Sequence, residues 1–169
     1  MKKVIGSLLV ISGFIACQPK TEKSVNSAPL NAFGYVIDSS ENINTVVKAI
    51  NAGANFDTSI FKSIYSDTAV IYDNMKKQTV DENMNMASVF KANGLTMKLE
   101  KINDIWETVN YQPDDRGLTN YVNVYFNVSF IKGSQQSNIR VNAVFAFKDG
   151  KIVREWDTYD SAPVAELFK

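Results

Sequence analysis

A chain of 169 residues with 45% apolar and 11% aromatic side chains has the length of one domain and enough apolar mass for a packed core, which excludes a disordered polypeptide. Basic and acidic residues number 18 each, and without Lys2 and Lys3, the only charges in residues 1–16, 16 basic face 18 acidic for a net charge of −2. A near-neutral domain with no basic run has no electrostatic footprint for nucleic acid, so no nucleic-acid partner is expected.

Lys2 and Lys3 precede an apolar run, residues 4–15, interrupted by Gly6, Ser7, Ser12 and Gly13. It is too short to span a bilayer stably and matches the apolar region of a secretory signal. It ends in Phe14-Ile15-Ala16-Cys17, which resembles the lipobox of bacterial lipoproteins, with Phe14 where leucine is usual. The resemblance implies cleavage before Cys17 and a lipid on its thiol, anchoring the protein to the membrane. An ordinary signal peptide with an incidental cysteine is the alternative. Cys17 is the only cysteine, which favours lipidation over disulfide chemistry. Gln18, in place of the aspartate associated with inner-membrane retention, points to the outer membrane, with the domain periplasmic or surface-exposed. Residues 17–34 are polar and contain Pro19 and Pro29. They read as a tether, with one domain over 35–169.

Asp38 and Glu41 have capping-box spacing, and Ile43, Val46, Val47 and Ile50 follow as one helical stripe that Gly53 can end. Asp57 can cap a short helix with Ile60, Phe61 and Ile64 as its apolar positions. A strand is predicted over 69–73. Thr79 and Glu82 form a second capping box, opening a helix with Val80, Met84, Ala87 and Phe90 on one side, and Asn93-Gly94 stops it. Beyond Leu95 the pattern turns to strands. Met97 and Leu99 alternate, but Ile102, Ile105 and Trp106 are out of phase, which predicts a long strand with a bulge, or two strands bent near Lys101. Residues 111–119 are a loop. Residues 121–131 alternate, with Val122, Val124, Phe126, Val128 and Phe130 on one side. A turn at Gly133-Ser134 brings that side next to Ile139, Val141, Ala143, Phe145 and Phe147.

Asp149-Gly150 supplies the positive φ angles of a tight hairpin turn. Counting outward pairs Lys148 with Lys151, Phe147 with Ile152, Ala146 with Val153, Phe145 with Arg154, Val144 with Glu155, Ala143 with Trp156, Asn142 with Asp157 and Arg140 with Tyr159. Opposed residues share a face. One face then carries the apolar set with Ile152 and Trp156. The other carries Arg140, Asn142, Glu155, Asp157 and Tyr159, with Val144, Ala146 and Val153 near the turn. The order helix, helix, strand, helix and then four long antiparallel strands describes an α+β cone.

This order, with the ending DGKIVREWDTYD, resembles the nuclear transport factor 2-like (NTF2-like) superfamily, and more narrowly its SnoaL-like branch of polyketide cyclases, related to ketosteroid isomerases and limonene epoxide hydrolases. The resemblance covers roughly residues 43–160. It implies helices over the concave side of a curved sheet and a pocket at the open end of the cone, lined by the last strand. In the epoxide-hydrolase relatives the first aspartate of a W-x-D-Y-F-D motif is a catalytic acid. Counting back from the motif's last aspartate, it falls on Asp157, although Trp156 directly precedes Asp157 here instead of standing two residues before it.

The face assignment makes Asp157 and Arg140 diagonal neighbours, within reach of an ion pair, with Glu155 as a second carboxylate. The favoured arrangement puts this polar face in the cavity and buries the apolar face in a homodimer formed through the sheet. The alternative packs the apolar face on the helices. Arg140, Asn142, Glu155, Asp157 and Tyr159 are the candidate ligand-binding residues. Tyr72, with Asp73 beside it, could reach the mouth, and Trp106 could form core or pocket wall. With no histidine and Cys17 committed to the anchor, a catalytic triad, a cysteine nucleophile and the usual His/Cys metal sites are excluded, and no cofactor is expected. The expected function is binding of a small, largely apolar molecule. The alternatives are an isomerase-, cyclase- or hydrolase-type enzyme with Asp157 as acid/base and Tyr159 or Arg140 steadying negative charge, and a protein-interaction module. A carboxylate of raised pKa in a deep pocket would favour the enzyme, and Asp157 paired to Arg140 would favour binding.

Overall fold

The computed structural model describes residues 33–169. Cys17, the signal segment and nearly all of the proposed tether lie outside the described residues. In chain order the elements are β1 (Gly34–Ile37), α1 (Glu41–Ala54), α2 (Thr58–Ile64), β2 (Tyr65–Asp73), β3 (Lys76–Thr79), α3 (Val80–Ala92), β4 (Leu95–Asn110), β5 (Asn120–Lys132), β6 (Gln135–Lys148), β7 (Lys151–Thr158) and α4 (Ala162–Glu166). The strands form one open, curved sheet in the order β1-β4-β5-β6-β7-β2-β3. Every neighbouring pair is antiparallel except β2 with β7.

Capping residues set the helix starts. Ser40, not Asp38, caps α1, its Oγ accepting from the Ile43 amide at 3.0 Å. Asp57 caps α2 through Oδ1, which accepts from the Ser59 and Ile60 amides. At α3 both halves of the Thr79–Glu82 capping box form, at 2.7 and 3.2 Å. The buried stripe of α1, including Ile43, Val46 and Ile50, packs with Met84 of α3 over the sheet.

Two strands and a helix escape the sequence pattern. In β3 the residues Lys-Lys-Gln-Thr carry no apolar signal, and it pairs with β2 across Asn74-Met75, a turn in which both residues hold positive φ without a glycine. β1 pairs with the far end of β4 and begins at Gly34, where a Cβ would meet the Val109 carbonyl oxygen at 2.1 Å. The last, α4, is a single short turn that docks Leu167 into the core. β4 is continuous, with irregularities at Leu99/Lys101 and Ile102/Asp104.

The β5–β6 pairing sets Val128 opposite Ile139, Phe126 opposite Val141, Val124 opposite Ala143 and Val122 opposite Phe145, so the two apolar sides join. That joined face lies under the helices. Val122, Val124, Ala143 and Phe145 are essentially inaccessible. The favoured arrangement of the sequence reading, polar face inward and apolar face in a dimer, is therefore corrected. The helices already cover the apolar face, so that face is not free to be buried in a second copy.

The hairpin register also differs from a simple count. Lys148–Lys151 and Phe147–Ile152 pair as expected, but Ala146 then pairs with Arg154, Phe145 with Glu155, Val144 with Trp156, Ala143 with Asp157 and Asn142 with Thr158. Val153 is an extra residue in β7, a bulge. Because side chains alternate with period two, one inserted residue exchanges the faces of everything beyond it. Glu155 and Asp157 move to the concave side, and Arg154, Trp156 and Thr158 to the outer side.

Candidate functional site

Between α1–α3 and the concave sheet lies a cavity of about 180 Å³. Its walls are apolar: Ala49 and Ile50 from α1, Phe61 from α2, Met84 and Phe90 from α3, and Phe126, Val128, Val141 and Phe145 from the sheet. The polar end is built by β2, β7 and the residue just beyond, with Tyr65, Asp73, Glu155, Asp157 and Tyr159. The β2–β7 register places Glu155 beside Ile71 and Asp157 beside Asp73 on the inner face. The unusual turn after β2 holds this end in place. The Asn74 amide donates to the Asp157 carbonyl at 3.1 Å, and the Asn74 side-chain oxygen accepts from the Tyr159 amide at 3.0 Å.

Tyr65, 3% exposed, stacks on Phe61 with centroids 5.1 Å apart and donates its hydroxyl to the Glu155 carboxylate. Glu155 and Asp157 stand within hydrogen-bonding reach of one another on β7. Burial is the largest cause of their shifts. It pushes Glu155 up to about 7, against the lowering effect of hydrogen bonds to Tyr65 and Asp157. Burial raises Asp157 well above the ordinary carboxylate range, helped by the charge of Glu155, their shared hydrogen bond and the charge of Asp73. Tyr159 is raised by burial first and then by its contact with Asp73. No lysine or arginine lines the cavity. Chemically, the end can hold or release a proton at neutral pH, or accept a positive charge.

The sequence-derived candidates divide between the two faces. Glu155, Asp157 and Tyr159 line the cavity. Arg140 and Asn142 lie on the outer face, opposite Asn127 and Tyr125, so the expected Asp157–Arg140 pair does not form; the Val153 bulge is the reason. Tyr72 is also outside, stacked on Trp156 at 6.0 Å, with its hydroxyl 3.5 Å from an Arg154 nitrogen. Trp106 stacks on Tyr125 at 5.9 Å on that same face. Tyr65 is the residue that sequence reasoning missed. The predicted strand began at residue 69, whereas β2 starts four residues earlier. The apolar spacing of Phe61, Ile64 and Tyr65 was the available signal.

No protein-family model matches the sequence, and no curated protein matches it. Solved structures do resemble it. A candidate polyketide cyclase from Xanthomonas campestris pv. campestris superposes with a TM-score of 0.59 at 12% identity, over 76% of this chain and 97% of its own. An LEH-like epoxide hydrolase of M. tuberculosis gives 0.57 at 19% identity, over 78% and 91%. A candidate SnoaL-like polyketide cyclase from Jannaschia sp. CCS1 gives 0.54 at 13% identity, over 78% and 96%. At these identities the likeness concerns fold alone. The chain has the cone fold of the nuclear transport factor 2-like superfamily.

Proposed function

We propose that the domain binds a small, largely apolar molecule in the cavity, with Glu155, Asp157 and Tyr159 meeting its polar group. The observation that carries this reading is the composition of the wall, mainly apolar and aromatic on three helices and the central strands, with its carboxyl groups gathered at the β2–β7 end and Asp57, Thr58 and Asn83 the polar residues elsewhere. Such a wall takes affinity from apolar burial and orientation from a few placed polar groups. Titration with naphthalene, a neutral apolar probe, tests it. Saturable binding is expected, weakened about tenfold or more by Ala87→Phe, which narrows the cavity from α3. Absence of saturable binding, or equal affinity in the variant, contradicts the reading.

A second reading, acid–base catalysis on the bound molecule, is favoured by two carboxyls of raised pKa, Glu155 and Asp157, side by side at the polar end of the cavity. Asp157 would be the acid/base, and Tyr159 would steady developing charge. Against it stands the lack of any fixed positive group at the cavity wall, where a developing anion would face Asp73 as well as the pair. Turnover of a small epoxide such as styrene oxide, with a pH–rate limb near neutrality that disappears in Asp157→Asn, is what this reading predicts. Equal rates for the two proteins at every pH contradict it.

A further inference from the structure

The charge of the cavity wall identifies the kind of molecule it suits. Asp73, Glu155 and Asp157 converge at one end, and Asp57 stands at the rim where α2 begins. The other walls contribute no balancing charge. The cavity-lining residues of α1 and α3 are uncharged; Lys91 of α3 acts on Asp57 at the rim, while Arg154 and Arg116 are engaged on the opposite side of the sheet. There Arg154 approaches Tyr72, while Arg116 lies over the Trp156 ring at 5.4 Å and pairs with Asp114 at 2.6 Å. Among the described residues no acidic grouping has metal-ligand geometry, and the rest of the wall is mainly apolar, with Thr58 and Asn83 as uncharged polar members. Aromatic faces and a concentration of carboxyl groups in a place of low polarity are the two features that attract an organic cation.

We infer that the cavity takes a small apolar ammonium ion, its charge between Asp73, Glu155 and Asp157 and its alkyl or aryl body against Phe61, Phe126 and Phe145. The inference rests on the apolar-binding reading and adds the charge of the ligand. Without a ligand, burial raises the affinity of the pair for a proton, because it opposes an unpartnered negative charge. A cation entering the site replaces that proton, so binding releases a proton to solvent and weakens as pH falls. The groups that face the pair are Asp73 and Tyr65 on β2 and Tyr159 beyond β7.

Calorimetric titration of the protein with phenyltrimethylammonium and with tert-butylbenzene, its neutral isostere, tests this. At pH 8 the cation is expected to bind about tenfold or more tighter than the isostere. Titrations at pH 6 in two buffers of different ionisation enthalpy are expected to show proton release. In Glu155→Gln/Asp157→Asn the preference for the cation should collapse while tert-butylbenzene still binds. Equal binding of the two probes to the unaltered protein, or tighter binding of tert-butylbenzene, overturns the inference and leaves the apolar-binding reading intact. Failure of both probes to bind overturns the two together. Cation binding without proton release at pH 6 also overturns it.

Discussion

Glu155 has its carboxyl pushed up by burial, so its protonated form is the one the fold favours. A raised carboxyl pKa contributes stability that is complete below the unfolded value, near 4.5, and is lost as pH rises through about 7. The protein should therefore melt at a lower temperature at pH 8 than at pH 5, and Glu155→Gln should flatten that dependence. The gain at pH 8 should be roughly 1–3 kcal/mol, because a neutral amide has no charge for burial to oppose and its oxygen still accepts from Tyr65. Thermal melts of both proteins across that range decide the matter; parallel pH curves contradict the burial argument. Met75 gives a second residue-scale case. It is 93% exposed with φ of +75°, so its side chain contributes no packing while its backbone sits where glycine is favoured. Met75→Gly should stabilise by about 0.5–1 kcal/mol in denaturant titrations, and a loss would mean that the turn is not strained.

Element boundaries were legible wherever a side chain closes them locally. Asp57, Thr79 with Glu82, and Asp149-Gly150 each act on their own neighbours, so spacing alone revealed them. Ser40 took the place given to Asp38 because both stand near Glu41 and only geometry chooses between them. Ser40→Ala should cost about 1 kcal/mol of stability, whereas Asp38→Ala should change little; the reverse result would restore the predicted cap. The bulge at Val153 was not legible. Ile152 and Val153 are both apolar, so an extra residue between turn and site leaves the local composition unchanged. Its consequence is long-range. It turns Arg154 and Trp156 outward and brings Glu155 and Asp157 inward, which is why these carboxyls reached the cavity without their predicted partners, Arg140 and Asn142. Deleting Val153 would join Ile152 directly to Arg154 in a regular ladder and keep the Ala146–Arg154, Phe145–Glu155 and Ala143–Asp157 pairs, so the carboxyls should stay in the cavity. The deletion variant should therefore still unfold cooperatively and still bind naphthalene. Loss of both would contradict this register.

At the scale of the whole molecule, the cone was legible from the order of its elements, but which side of the sheet faces inward was not. Both faces of β5 and β6 carry enough large side chains to be covered, and only the helices' position on the Val/Phe side resolves them. With the apolar face inward, the cavity is a mainly apolar space whose carboxyl groups Asp73, Glu155 and Asp157 gather at one end. We propose further that Cys17 carries a lipid that holds this domain at the bacterial outer membrane. Cys17→Ser should then move the protein from the membrane fraction to the soluble one, and unchanged fractionation would rule the anchor out.

The binding cavity itself can be tested through the methionines. Met84, Met86 and Met97 line it, whereas Met75 stands in solvent at the β2–β3 turn. In methyl-labelled protein titrated with naphthalene, nuclear magnetic resonance should show the Met84, Met86 and Met97 methyl signals shifting together, with contacts to the probe, while Met75 stays fixed. Shifts confined to Met75, or none at saturating probe, would contradict the cavity as the binding site.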